Sequence, residues 1–272
     1  MRWAIARVIA HKEIAAITRS RALYMPMVVV NVALFVVLPI ALGSVAGALD
    51  ERALRDPEIM KIIDALPDAL RARYVRESLR ETVFFLMMGQ ILAPLFLIAP
   101  IMTASLVAAD AFAGERERKT LEALLYAPAS SLEIFAGKVM GALAPALVVD
   151  VVGFALFFVC ANGVALAVLG APFPPTPLHL SMALALGPAV SLLAIVLVVA
   201  VSARVQGAQE ANQVAALLVL PIVGMLISQV SGVAFFGAPV VVLVAVGAAV
   251  IAALALRALA RRFTRERLLR SL

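Results

Sequence analysis

The stretch "VMGALAPALVVDVVGFALFFVCANGVALAV", Val139 to Val168, carries one charged side chain, Asp150, and decides the fold. It exceeds the roughly 20 apolar residues that a helix needs to cross a hydrocarbon layer. Its inner part, "PALVVDVVGFALFFVC", lacks the two-residue alternation that a lipid-facing barrel strand requires. It is therefore a membrane-crossing helix. The whole chain has the same character, with mean hydropathy +1.06 and 64% hydrophobic against 15% charged residues.

Five further runs outside this stretch have the required length: 25–49, 83–109, 178–202, 213–231 and 239–256. The reading is an all-α polytopic membrane protein with six transmembrane helices in one domain, 1–272. The first run is too long, and starts too late, for a cleaved signal peptide.

Several function classes fall away. Cys160 is alone in an apolar run, which excludes a disulfide framework and a cysteine metal site. A net charge of +6 does not make a nucleic-acid partner, because no soluble basic domain carries it. His11 and His179 are the only histidines, and they stand near opposite ends of the fold. No zinc-protease or haem pattern and no Ser, His and Asp arrangement can be built from them. No catalytic, metal or cofactor-binding residue is expected.

Charge orients the chain. With the N-terminus inside, 16 of the 23 Lys and Arg are cytoplasmic. The other seven lie in 50–82 among eight acidic residues. The positive-inside rule therefore places both termini in the cytoplasm. Residues 1–24 form either an interfacial helix, with Trp3, Ala10, Ile14 and Ile17 on one face, or a basic flank that only sets orientation. The 50–82 segment is external and helical, and its stripe of Ile59, Ile63 and Leu66 suits a cap on the outer ends of the spans. Residues 257–272 form a basic cytoplasmic tail suited to anionic membrane lipid.

The remaining polar segment, 110–138, is the first cytoplasmic loop and contains "GERERKTLEALLYAPASSLEIFAGK", Gly114 to Lys138. Leu121, Leu124 and Leu125 give a short amphipathic helix, which Pro128 interrupts. Ser130 and Glu133 have the spacing of a capping box that starts the next helix. Lys138 then stands where an ammonium can reach the headgroups. The leucine stripe suits either the membrane surface or a soluble partner, and the alternating charges from Glu115 to Lys119 favour a protein surface.

This loop resembles the signature of type 2 ABC exporter permeases, a Gly-Glu-x-Glu-Arg-x-Thr-Leu-Glu-x-Leu-Leu run followed by Pro and a Gly-Lys pair. Lys119 stands where that family commonly has Gly. The resemblance implies a bacterial inner-membrane permease subunit of an ATP-driven exporter. It also implies two ABC ATPase subunits and a second permease copy, most simply in a homodimer. The loop would be the coupling helix, with Glu115, Glu117, Thr120, Leu121, Glu122, Leu124, Leu125 and Pro128 at the ATPase contact. ATP and Mg would bind the partner, since no G-x-x-x-x-G-K-[ST] phosphate loop occurs in this chain.

Asp150 opens an alternative, an ion-coupled secondary transporter. A carboxylate at a helix centre has an apparent insertion cost of about 2.5 to 3.5 kcal/mol, so it faces the protein interior rather than lipid. It either lines a translocation path with Asn31 and Gln90, or joins spans through hydrogen bonds to Asn31, Gln90, Asn162 or Gln229. The pairs Gly43/Gly47 and Gly137/Gly141 mark close helix packing within one subunit. Pro94, Pro100, Pro145, Pro188 and Pro221 are potential kinks.

Overall fold

The computed structural model describes residues 2–118, 129–202, 204–205 and 207–262. Among them there is no strand. Helix α1 spans Trp3–Arg19, and the first span, α2, covers Arg21–Ala48. A single turn, Glu51–Leu54, precedes two helices between the first two spans, α3, Pro57–Asp64, and α4, Asp68–Tyr74. The remaining spans are α5, Leu79–Gly114; α6, Ser131–Leu169; α7, Pro177–Ser202; α8, Ala208–Val230; and α9, Ala238–Arg262. All six expected crossings are present. Most run several residues beyond the apolar stretches, because capped or polar ends continue them.

The central span is α5, with 72% of its most apolar window buried. It packs on α6, α7 and α8, and α9 closes against α7. At 39 residues α6 is about 58 Å long, against about 30 Å of hydrocarbon, so it projects beyond the membrane. Its glycines set its neighbours. A Cβ on Gly137 would stand 2.7 Å from Ile9 Cβ, and one on Gly141 would stand 2.7 Å from Glu13 Cβ, so α1 lies directly on α6. Gly153 makes room for the Phe35 ring of α2 in the same way, while Gly43 and Gly47 of α2 accept Val164 and Val168 of α6. Both small-residue pairs therefore pack within the subunit.

The contact on α6 corrects the expected face of α1. The buried residues are Ala6, Ala10, Glu13 and Ile17, whereas Trp3 is 61% exposed. Small side chains fit against the α6 glycines and the indole does not.

Four spans are interrupted close to prolines. Proline lacks an N–H and crowds the carbonyl four residues earlier. For Pro39, Pro94 and Pro188 that earlier residue is Phe35, Gln90 and Leu184, each inside a widened π turn: Ala33–Val37, Met87–Ile91 and Met182–Leu186. Pro100 follows a tightened 3-10 segment, Ala93–Leu97, and Pro221 follows a break at Leu217–Leu218. Pro26 and Pro145 are exceptions, lying within the regular start of α2 and within unbroken α6. At Pro39, Pro94, Pro100, Pro188 and Pro221 the interrupted turn relocates the crowded carbonyl.

In the segment between the first two spans, Ile63 and Leu66 are buried and Ile59 is half-buried, so the stripe packs onto the protein. Asp56 caps α3 by accepting from the Glu58 N–H at 2.8 Å. Tyr74 inserts against Gly89 and donates to its carbonyl at 2.9 Å, fastening α4 to the widened turn of α5. Beneath this cap, Phe96, Phe157, Phe158 and Phe173 surround a buried His179, whose Nε2 lies 3.0 Å from Met88 O.

Candidate coupling site at the junction of α5 and α6

A fourth π turn, Asp110–Gly114, ends α5 and has no proline after it. Here the Glu115 N–H donates to Asp110 O, five residues back, instead of to Ala111 O. The Ala111 carbonyl accepts from the ammonium of Lys138 on α6. Gly114 lets the Arg118 guanidinium fold back across the turn to Asp110 Oδ1 at 2.8 Å, because a Cβ there would crowd both side chains.

Lys138 is 0% exposed, which corrects its expected reach to the headgroups. Its Nζ lies 2.5 Å from Glu115 Oε2, 3.7 Å from Glu13 Oε1 and 5.5 Å from the centre of the Phe112 ring. The other Glu115 oxygen accepts from Lys12, which also lies 3.3 Å from Glu13 Oε1. Two lysines and two glutamates thus form a neutral cluster that joins α1, the end of α5 and the start of α6. Burial alone pushes the Glu115 carboxyl up. The charges of Lys138 and Lys12 and their hydrogen bonds outweigh burial and hold it below its ordinary value. Burial likewise lowers Lys12, but the bond from Glu115 and the charge of Glu13 raise it overall.

The start of α6 adds a second tie. Ser130 Oγ accepts from the Glu133 N–H at 3.3 Å, and Glu133 Oε2 accepts from the Ser130 N–H at 2.9 Å, completing the capping box. The remaining Glu133 oxygen accepts from the Arg2 N–H at 2.6 Å, so the same carboxylate also pins the start of α1. On the far side, Glu117 Oε2 accepts from the Ala208 N–H at 3.2 Å and caps α8, while Gly207 leaves room for that carboxylate. Ser105 Oγ donates to Asn212 Oδ1 at 2.7 Å and holds α5 to α8.

Of the expected contact residues, Thr120, Leu121, Glu122, Leu124, Leu125 and Pro128 lie outside the described residues. Glu115, 5% exposed, is turned inward to the two lysines, and Glu117 faces the start of α8. Sequence reasoning missed Lys12, Glu13 and Lys138 as one cluster. The signal was the pair of glycines around Lys138, since Gly137 and Gly141 require a close helix where open headgroups were expected.

The expected path residues are held in separate places. Asn31 donates to Met27 O of its own helix at 2.8 Å. Gln90 donates to Gln229 Oε1 at 2.7 Å and to Phe236 O at 3.0 Å, joining α5 to α8 and the loop after it. Asn162 exchanges hydrogen bonds with the Phe173 backbone at 2.8 and 2.9 Å. Among the described residues, neither Asp150 oxygen has a hydrogen-bond partner.

Among the described residues, these contacts tie the segment after α5 to α1, α6 and α8. No curated protein matches the chain. The family of ABC-2 family transporter proteins matches over residues 7–239, and six apolar helices long enough to cross a membrane agree with it. The chain belongs to this family and is a membrane permease component of an ABC transporter.

Proposed function

We propose that the chain is the permease subunit of an ATP-driven exporter in a bacterial inner membrane, with both termini cytoplasmic. It works with a second copy of itself and two separate ABC ATPase subunits, which bind ATP and Mg. The loop at 110–138 receives the ATPase, with Thr120, Leu121, Glu122, Leu124, Leu125 and Pro128 in the seat and Glu115 and Glu117 fastening its base. The observation that carries the reading is the Lys12–Glu13–Glu115–Lys138 cluster, in which Glu13, Glu115 and Lys138 are buried and which ties the base of the loop to α1, α5 and α6.

The test is co-purification with a co-expressed ABC ATPase subunit. Leu121→Asp with Leu125→Asp should fold and lose the ATPase. Retention of the ATPase with normal coupling refutes the seat. Asp150, buried without a partner, favours a second reading as an ion-coupled carrier. Transport in vesicles separates the two: the exporter requires ATP, and the carrier runs on an ion gradient alone.

A further inference from the structure

Asp150 sits midway along α6, between Ser131 and Leu169, and is 1% exposed. Its carboxyl fills the place of a side chain on α7: a Cβ on Gly187 would stand 2.2 Å from Oδ2 and 3.0 Å from Cγ. A second buried oxygen, Thr103 Oγ1 on α5, also lacks a partner among the described residues. The rings of Phe96 and Phe157 lie 4.9 Å apart and pin α5 to α6. Thr103 and Asp150 are each about two turns inward from those rings along their own helices, which puts the two oxygens at one level.

Among the described residues of α2, α5, α6 and α7, no cation stands at that level. Between residues 82 and 109 of α5 there is no charged residue, and none lies between 22 and 48 of α2, where Tyr24 is the titratable group. On α7 the one titratable group is His179, about two turns outward and engaged with Thr176 and Met88. On α6, Lys138 is about 18 Å inward and already paired, and Cys160 lies outward. An ionised carboxylate without a cation or a donor is excluded from such surroundings.

We infer that Asp150 is a proton-carrying site of the transport cycle, loaded in the conformation described and emptied when α6 and α7 separate. In unloading, the carboxylic O–H bond breaks, the proton passes to an entering water molecule, and the electron pair stays on the carboxylate. Reloading reverses these steps. The contact is placed for such opening, because Gly187 directly follows the widened turn Met182–Leu186, which interrupts the regular hydrogen bonding of α7. Loading in the resting protein is independent of the permease reading, whereas the cycle rests on it.

Infrared spectra of the purified full chain in lipid nanodiscs test the loading. At neutral pH the protein should show the C=O stretch of a protonated carboxylic acid, and Asp150→Asn should lose that band. Absence of the band, or its loss on replacing choline chloride with sodium chloride at constant pH, overturns the proton site. If Asp150→Asn does not fold, Gly187→Ala in a folded sample must shift the band, and an unshifted band overturns the assignment. With the ATPase bound, ATP should accelerate the shift of the band in D2O. Unchanged exchange during turnover overturns the cycling role. Exchange driven by a gradient without ATP refutes the exporter reading and leaves Asp150 standing.

Discussion

At Lys138 an ammonium has left water for one carbonyl and the carboxylates of Glu115 and Glu13. Removing one member of a buried ion pair strands the other charge, which typically costs about 3 to 5 kcal/mol. Lys138→Met should therefore lower unfolding stability in detergent by about that amount. Lys138→Met combined with Glu115→Gln should recover much of the loss, because no charge is stranded. The same cluster sets an acid limit. The Glu115 carboxyl is held below its ordinary value, so its contribution is present above the unfolded pKa and disappears as pH falls through the folded one. A melting series should show the wild type losing stability below the ordinary carboxylate range, and Glu115→Gln losing less.

At the scale of elements, α1 is fastened to α6 by packing as well as by charge. The side chain introduced by Gly141→Ala would overlap Glu13, and overpacking of this kind costs about 1 to 3 kcal/mol. The variant should release α1 to limited proteolysis while the six spans stay intact. Ser130→Ala removes one half of the capping box and should cost about 1 kcal/mol, read by the same melting assay. Gln90→Leu strands the Gln229 amide between α5 and α8 and should destabilise by about 1 to 3 kcal/mol.

At the scale of the whole molecule, the charge asymmetry predicts which face labels from outside. In a Cys160→Ser background, Lys61→Cys should react with an impermeant maleimide added to intact cells, and Arg257→Cys should react only after lysis. Reversed labelling would invert the topology and place the 110–138 loop out of reach of any cytoplasmic ATPase.

The number of spans, their order and the capping box that starts α6 were all legible in the sequence, because each depends on local quantities. A helix in hydrocarbon must satisfy its own backbone, so uninterrupted apolar length is enough to identify it. A capping box closes over three residues, so its spacing alone predicts it. The fate of Lys138, the inward turn of Glu115, the buried face of α1 and the isolation of Asp150 from the other polar residues required the tertiary structure. Each depends on which helix occupies the neighbouring space, and a charge at a helix end reads the same in sequence whether it meets headgroups or two carboxylates. Composition made this a membrane protein of six spans, and helix packing decided which of its charges are buried together and which stay on the surface.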